Sequence, residues 1–499
     1  MTSVNSRMAT GAAWMVLLRI SDRTIGLIST VVLARLLMPG DFGLIAIAAA
    51  VIGMLEVLGA VGLDVALIQR ADARRAHFDT AWTFHILFGL AVALVVAGIA
   101  QPVAAFYADP RLVGVMLMLA ATSALQALEN IGVVTFRKEL EFDREFRYRI
   151  TQRVLTTFVV TMPLAFTLKN YWALLFGSLA GAAIKVVLSY RLHPYRPRFS
   201  LAALGELMAF SKWYLITSII EYVYGRMTGL IIGKWAGVAA VGTYTLADEI
   251  ATLATREISA PVQRAVFPGY AKIAGDRQEL RRVFLKVSSI LLLIVLPSGI
   301  GIGLLAEPIV LVVLGAKWEA AIPLVQVLGL NGILTVLLGT GHYLNLAVGM
   351  ARSTSLVLGA HVAITIPLVL WSVRDYGAQG AVVAMLVASL LITPFNYYLV
   401  SKAVNFGWVE LRNLMWRPLV GGLVMSGVII TLQQQWPLPS GTPMQLAYAV
   451  VLAATGAVTY GATVYLLWRR GSDPDSGEAW MLERAAALVG LSPAQLGLR

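Results

Sequence analysis

The chain has 499 residues, of which 58% are hydrophobic and only 13% charged, with a mean hydropathy of +0.77. A soluble fold cannot hide that much apolar surface, so the composition reads as a polytopic membrane protein. The lack of cysteine excludes disulfides and thiolate metal sites. The net charge of +12 lies largely in short segments between apolar spans, which points to topology and anionic head groups and not to nucleic acid.

The first apolar span, within residues 12–37, is long enough to cross a bilayer at roughly 20 residues per crossing, yet it carries Arg19, Asp22 and Arg23. It is too long and too charged for a cleavable signal peptide, and Arg7 ahead of it suits an N-terminus that stays in the cytoplasm. At helical spacing, positions 19, 22, 23, 26 and 30 share one face, while Leu18, Ile20, Ile25, Leu27 and Ile28 cover much of the rest. A charge near the bilayer centre costs about 2.5 to 3.5 kcal/mol on insertion scales, so such residues face a protein interior or a wet cavity. Two readings follow: an ion pair that locks this helix to a neighbour, or a wall of a polar pathway in a helical bundle.

Thirteen further spans follow, near 42–69, 81–104, 112–136, 148–168, 171–190, 209–233, 240–263, 284–304, 321–346, 353–373, 377–400, 418–432 and 444–468. Asp248, Glu249, Arg256 and Glu257 make the eighth amphipathic instead of uniformly apolar. With both termini placed in the cytoplasm, 26 of the 39 Lys and Arg fall in inside loops, 5 in outside loops and 8 within spans or at their ends, as the positive-inside rule requires. The outside loops are too short for a folded catalytic domain. The longest inside loop is expected around Pro268–Arg282, and the piece after GSDPDSG is expected to form a short amphipathic helix.

Sliding the chain on itself by 199 residues lays 14–48 over 213–247 without a gap. Trp14 meets Trp213, Asp22 meets Glu221, Gly26 meets Gly225, Arg35 meets Lys234 and Gly43 meets Gly242. Both copies start on the same side, so the expected fold is all-α: two six-helix lobes related by a parallel pseudo-twofold, plus two more helices. The boundaries are an N-terminal lobe at 1–198, a C-terminal lobe at 199–408, the extra helices at 409–470 and a cytoplasmic tail at 471–499. Two lobes around a central site suit alternating access better than a pore or a membrane enzyme.

The ionisable residues expected at membrane depth gather in spans 1, 2, 7 and 8. Arg19 and Arg23, one turn apart, present planar donor forks suited to a diphosphate. Asp22, Glu56 and Glu221 can pair with those arginines when no substrate is bound, or carry a coupling proton or cation, and Asp248 and Glu249 belong to the same set. Arg226 in span 7, Arg153 in span 5 and Lys185 in span 6 add positive charge. An interhelix ion pair is the competing account of each. Asp64 and Arg256 read as residues near helix ends that snorkel to water. His342 and Asn345 share a face of span 10, and Asn396 lies in span 12. No HExxH, GxSxG or Walker A pattern occurs, so no catalytic residue, metal site or cofactor is expected.

The run LARLLMPGDFGLIAIA followed by GLDVALIQR (62–70), and VGTYTLADEIATLATREISAPVQRAVFPGYAKI (241–273) followed by RQELRRVF, resemble bacterial polysaccharide flippases. These are the Wzx-like polysaccharide transporters of the multidrug/oligosaccharidyl-lipid/polysaccharide exporter superfamily. The resemblance implies a bacterial inner-membrane exporter, not an enzyme. It would turn undecaprenyl-diphosphate-linked oligosaccharide repeat units to the outer leaflet for exopolysaccharide, capsule or lipopolysaccharide, beside polymerase and export machinery. It also implies that cavity cations hold the anionic lipid-linked sugar, here Arg19, Arg23, Arg226, Lys185 and Arg153. A drug/cation antiporter of the same superfamily and a flippase for the peptidoglycan lipid precursor are the alternatives. Positions 218 and 222, equivalent to the two arginines of span 1, hold Ser and Tyr, so the anion site is expected to be weighted toward the first lobe.

Overall fold

The computed structural model describes residues 4–59, 63–70, 72–208, 212–471 and 476–489. Every regular element among them is helical. The first are α1 (Val4–Leu36), α2 (Pro39–Gly59), α3 (Leu63–Gln69), α4 (Arg75–Tyr107) and α5 (Arg111–Gln126). Next come α6 (Val134–Lys138), α7 (Phe142–Val154), α8 (Met162–Leu168), α9 (Trp172–Leu192), α10 (Leu204–Met208) and α11 (Lys212–Ala236). The rest of the chain forms α12 (Val238–Ile273), α13 (Arg277–Leu304), α14 (Ala306–Val313), α15 (Ile322–Ala347) and α16 (Ala351–Val404), then α17 (Trp408–Gln435), α18 (Thr442–Arg470) and α19 (Gly477–Val489).

Among the described residues, most of each expected span falls on helical backbone. Eight of the described helices, or nine with the bent α5–α6 pair counted as one, are individually long and apolar enough to cross a bilayer. Their outward faces are apolar: Leu94, Trp371, Leu423 and Val458 are between 69% and 74% exposed, which only a hydrocarbon solvent makes tolerable. The chain is a multi-pass membrane protein. By contact density it divides into two compact units, Met1–Thr243 and Tyr244–Arg499.

Several spans differ from their sequence outline. The second ends as one helix at Gly59, and Asp64 opens a separate short helix, in the first turn where the helix dipole favours an acid. Residues 60–62 of the second span, the last of which opens the resemblance run 62–70, lie outside the described set, as does the side chain of Trp213 in the repeat. The fourth span is bent by 68° between α5 and the 131–138 segment. Asn130 holds the bend: its N–H donates to Ser189 Oγ at 3.0 Å, its Nδ2 to the Tyr195 carbonyl at 2.7 Å, and its Oδ1 accepts from Gly132 N at 2.9 Å.

The fifth span begins earlier than expected, at Phe142, and widens into a π-helical turn over Leu155–Thr161. Pro163 accounts for the widening, because it has no N–H to give to the carbonyl four residues back and its ring crowds that carbonyl. The winding shifts to i−5: Met162 N donates to the Thr157 carbonyl, and Thr161 Oγ1 to the Thr156 carbonyl at 2.8 Å. Gly177 and Gly181 on α9 leave the room that Thr161 and Thr156 fill.

At the start of α2, Asp41 accepts from Met38 N at 2.9 Å and from Tyr171 N at 3.2 Å, tying the MPGDFG turn to the loop before α9. One turn later α2 crosses the start of α12 backbone to backbone. A Cβ on Gly43 would fall on the Val238 carbonyl, and a Cβ on Gly242 on the Pro39 carbonyl. The 199-residue offset maps Pro39 onto Val238 and Gly43 onto Gly242, so each residue touches the equivalent of its partner's neighbour. That reciprocity is the signature of a local two-fold and supports an internal duplication.

In the second unit the eighth span is part of the unbroken 36-residue α12. The long inside loop expected around Pro268–Arg282 is therefore helical, because Asp276 caps α13 by accepting from Gln278 N and Glu279 N at 3.0 and 3.1 Å. Spans 11 and 12 follow one another in α16 across a sharp break at Gly377, whose φ of 57° favours glycine. Tyr270, Phe284, Leu292, Leu296, Val400 and Phe406 centre the core.

The tail helix α19 is docked. Trp468 Nε1 donates to Ser476 Oγ at 3.1 Å, and Glu478 pairs with Arg417 at 3.5 Å with side chains 6% and 12% exposed. Its Met481 and Leu482 reach an apolar cavity of about 590 Å³ among α13, α17 and α18. Residues 472–475 and 490–499 of the expected tail lie outside the described set.

Candidate functional site

The charged stripe on α1 is built against α7. Gly11, Leu18 and Ile25, seven residues apart, are buried, Gly11 beneath the Phe142 ring. Trp14 packs on Phe146 with ring centroids 5.0 Å apart. This seam aims the next turn at the end of α7, where Arg153 Nε meets Asp22 Oδ1 at 3.3 Å. Gly26 completes the seat, since a Cβ there would lie 3.4 Å from the Arg153 Nη2. Asp22 thus reaches across to a neighbouring helix, the interhelix pair that was one of the two readings of this stripe, with Arg153 as the partner instead of Arg19 or Arg23. The two side chains are 60% and 42% exposed. An ion pair that open contributes only about 0–1 kcal/mol to stability, so it is a poor clamp and an exchangeable one. Arg19 and Arg23 on the same helix are half-buried and engaged in interactions of their own.

The second cationic position sits at the bend of the fourth span. Lys185 Nζ donates to Glu129 Oε2 at 2.6 Å, and Tyr148 OH donates to Glu129 Oε1 at 2.5 Å. The Tyr148 hydroxyl also lies 3.3 Å from the Lys185 carbonyl, which locks α7 to α9. Glu129 and Tyr148 escaped the sequence reading. The signal available in the sequence was Glu129 itself, an acid inside the span expected at 112–136; the interruption, of a kind that marks binding sites in transporters, appears only in the fold.

The other expected site residues are more dispersed. Glu56 on α2 accepts from Ser123 Oγ on α5 at 2.6 Å. Arg226 and Glu221 on α11 are exposed, and the charges of Arg226 and Glu56 both act on the Tyr222 phenol between them. Tyr222 OH donates to the Ala50 carbonyl at 2.8 Å, over Gly53, where a side chain would collide with the ring. Asp248, in the second unit, pairs with Arg256 at 3.2 Å. Arg256 is therefore a mid-helix residue held by an acid, and the helix-end expectation fails because α12 continues to Ile273. Glu249 beside it is half-buried and engaged.

Of the polar residues expected in spans 10 and 12, Asn345 and Asn396 are buried, while His342 is half-buried with its ring edge-on to Tyr343 at 5.4 Å. A buried trio absent from the sequence reading lies in the same unit: Ser389 Oγ donates to Asn331 Oδ1 at 2.7 Å and stands 3.3 Å from His361 Nε2. Among the described residues no three His, Cys, Asp or Glu side chains are close enough to hold a metal ion.

At the α9 terminus, His193 is fixed as a neutral ring. Its Nδ1 accepts from Tyr195 N at 3.1 Å and its Nε2 faces Thr135 Oγ1 at 3.0 Å. Because Thr135 gives its own proton to the Gly132 carbonyl, the Nε2 must carry the hydrogen. Burial holds the His193 pKa below the usual range for histidine. Nearby, Glu206 accepts from His77 Nε2 at 3.2 Å and pairs with Arg70 at 2.6 Å, contacts that lower its carboxyl below the usual carboxylate range.

Chemically, the first unit offers guanidinium and ammonium donors in partly exposed positions, each covered by a carboxylate. Such an arrangement suits reversible capture of a multivalent anion.

Residues 32–323 match the family described as polysaccharide biosynthesis protein. The lipopolysaccharide biosynthesis protein WzxC of Escherichia coli K12 is 25% identical over 421 residues, covering 81% of this chain and 82% of that one. The succinoglycan biosynthesis transport protein ExoT of Rhizobium meliloti 1021 is 22% identical over 94% of each chain. Among solved structures, the lipid II flippase MurJ in an inward closed conformation superposes with a TM-score of 0.74 at 14% identity, over 91% of this chain and 99% of that one. An inward-facing multidrug MATE transporter gives 0.57 at 15%, over 77% and 95%. At such identities the structural likeness establishes the fold alone.

Proposed function

The chain belongs to the polysaccharide biosynthesis protein family, and from that premise we propose that it is a flippase for lipid-linked oligosaccharides. Its substrate would be a repeat unit joined through a diphosphate to undecaprenol, carried from the inner to the outer leaflet of the bacterial inner membrane by alternating access. The termini would lie in the cytoplasm, with fourteen crossings arranged as lobes 1–198 and 199–408, helices 409–470 and a tail from 471. Polymerase and export machinery would take up the product. No bond is made or broken, so the protein acts as a carrier and not as an enzyme.

One observation carries this reading. Arg153 and Lys185, expected within spans 5 and 6, are each met by a carboxylate from another segment of the first unit and stay partly open. Charge within an apolar span is expensive unless it faces a protein interior or a wet cavity, which supports a polar path here. A diphosphate and its sugars cannot cross hydrocarbon unaided, while the prenyl chain can stay in lipid. Arginine keeps its charge when desolvated and matches phosphate oxygens two at a time. A drug/cation antiporter would want acid or aromatic groups in these positions instead.

The test uses a strain deleted for this gene and carrying either the wild-type chain or Arg23→Ala. Deletion should accumulate undecaprenyl-diphosphate oligosaccharide on the cytoplasmic face, and wild type should clear it. Arg23→Ala should leave folded protein in the membrane but reduce export by at least about tenfold, the loss of roughly one charge-assisted hydrogen bond to phosphate. Absence of the intermediate from the deletion strain would overturn the proposal, and normal export by the variant would reduce Arg23 to packing.

A further inference from the structure

Glu129 stands where the fourth span is interrupted. The segment from Arg111 to Gln126 ends, the chain bends by 68°, and Glu129 and Asn130 fall in the gap. Asn130 is consumed in holding the bend together. Glu129 is not needed for that. Its two oxygens point instead at a phenol and an ammonium: Tyr148 OH at 2.5 Å and Lys185 Nζ at 2.6 Å. Tyr148 is 5% exposed, so its hydroxyl is a fixed donor, while Lys185 and Glu129 keep 36% and 23% of their side chains open.

We propose that Glu129 is a resident surrogate for the substrate's phosphate: Lys185 Nζ and Tyr148 OH form a preorganised anion seat that the Glu129 carboxylate fills at rest and the diphosphate takes over. The two donors converge on one carboxylate from α7 and α9, which is the geometry that two oxygens of a single phosphoryl group would meet. Sixteen residues of α5 at about 1.5 Å each put the gap some 24 Å from the helix start. It therefore lies near the face we assign to the cytoplasm, where a head group in the inner leaflet arrives first. Irregular backbone at such a depth is tolerated where it is buried in protein or lines a wet cavity. The exchange trades one anion for another at a fixed cation, so Lys185 stays paired throughout, while the displaced Glu129 carboxylate, already 23% exposed, turns to water. This inference rests on the flippase reading for the identity of the lipid, but the seat itself is a claim about phosphate.

The experiment measures binding to the purified full-length protein in nanodiscs, with undecaprenyl diphosphate and with inorganic pyrophosphate as separate probes. Glu129→Gln keeps the shape and an acceptor for Tyr148 but removes the competing charge. It should tighten both probes by about tenfold, the weight of one charge-assisted hydrogen bond. Lys185→Met should weaken both by a similar factor. If wild type binds undecaprenyl diphosphate and Glu129→Gln leaves binding unchanged or weaker, Glu129 is a structural brace and the inference is overturned. If pyrophosphate binding tightens in Glu129→Gln while the lipid never binds, the anion seat stands and the flippase reading fails. If wild type binds neither probe, both are overturned.

Discussion

At the scale of single residues, the charged side chains of the candidate site are held by partners distant in the chain, Asp22 by Arg153 and Glu129 by Lys185. Asp22 was visible as a charge in an apolar run and Arg153 as a cation in span 5, yet the two lie 131 positions apart and nothing in the sequence pairs them. Glu129 was passed over although it lies inside the span expected at 112–136, because nothing in the sequence shows the bend that brings it to Lys185 and Tyr148. Two residue-level predictions follow from contacts of this kind. Glu478→Ala leaves the Arg417 guanidinium buried with only the Gly471 carbonyl, 2.8 Å away, to answer it. It should cost about 3 kcal/mol, the lower end for a broken buried pair, whereas the double change Arg417→Met with Glu478→Leu should be near neutral. Thermal melts of the detergent-solubilised variants give both numbers. His193 offers a pH test. Its folded pKa lies below the unfolded value of 6.5, so the unfolded state binds more protons and local stability is lost as pH falls through that value. Protonation at Nδ1 breaks the bond from Tyr195 N. Amide protection at Tyr195, corrected for intrinsic exchange, should therefore decline below pH 6.5. The decline stays under the ceiling of about tenfold per pH unit that one proton sets, since the half-exposed ring is screened by solvent. His193→Gln should flatten that dependence; an unchanged profile would show that the ring does not titrate there.

At the scale of elements, hydropathy led to helical backbone, because period and length are written in the chain, and eight or nine of the described helices are individually long and apolar enough to cross a bilayer. The failures came where a local device overrides the average. A capped Asp276 turned an expected loop into two helix ends, Pro163 forced a π turn, and Asn130 stabilised a bend that apolar composition conceals. The glycine crossing between α2 and α12 was half legible: the repeat aligned Gly43 with Gly242, but only the fold makes them neighbours. Gly43→Ala should destabilise the protein by about 1–3 kcal/mol, since the new methyl meets a backbone carbonyl that no rotamer change can move aside. Gly40→Ala is the control, with nothing within 4 Å of the added atom, and should change stability by no more than about 1 kcal/mol, the propensity difference alone. Equal melting temperatures for the two variants would mean that the helices separate freely at the crossing.

At the scale of the whole molecule, duplication and function pull in different directions. The repeat preserves an acid at 22 and 221, a glycine at 26 and 225, and the crossing pair, while the arginines at 19 and 23 face Ser218 and Tyr222 in the second copy. The structure gives Tyr222 a packing role: its hydroxyl donates to the Ala50 carbonyl and its ring covers Gly53. A guanidinium placed there could still donate to that carbonyl, but it would lose the ring's cover of Gly53 and bring its charge against α2. The asymmetry of the proposed anion path is therefore built into packing and not merely drifted. Arg19→Ala with Arg23→Ala should abolish polysaccharide export in a deletion strain. Adding Ser218→Arg and Tyr222→Arg to that background restores the number of charges and their places in the repeat. Export should nevertheless stay below about a tenth of wild type, because the loss of one charge-assisted phosphate contact is worth that factor and the restored charges sit on the wrong copy. The quadruple variant must be shown by size-exclusion profile to be folded. If it exports at the wild-type rate, the two copies are interchangeable and the path is symmetric after all.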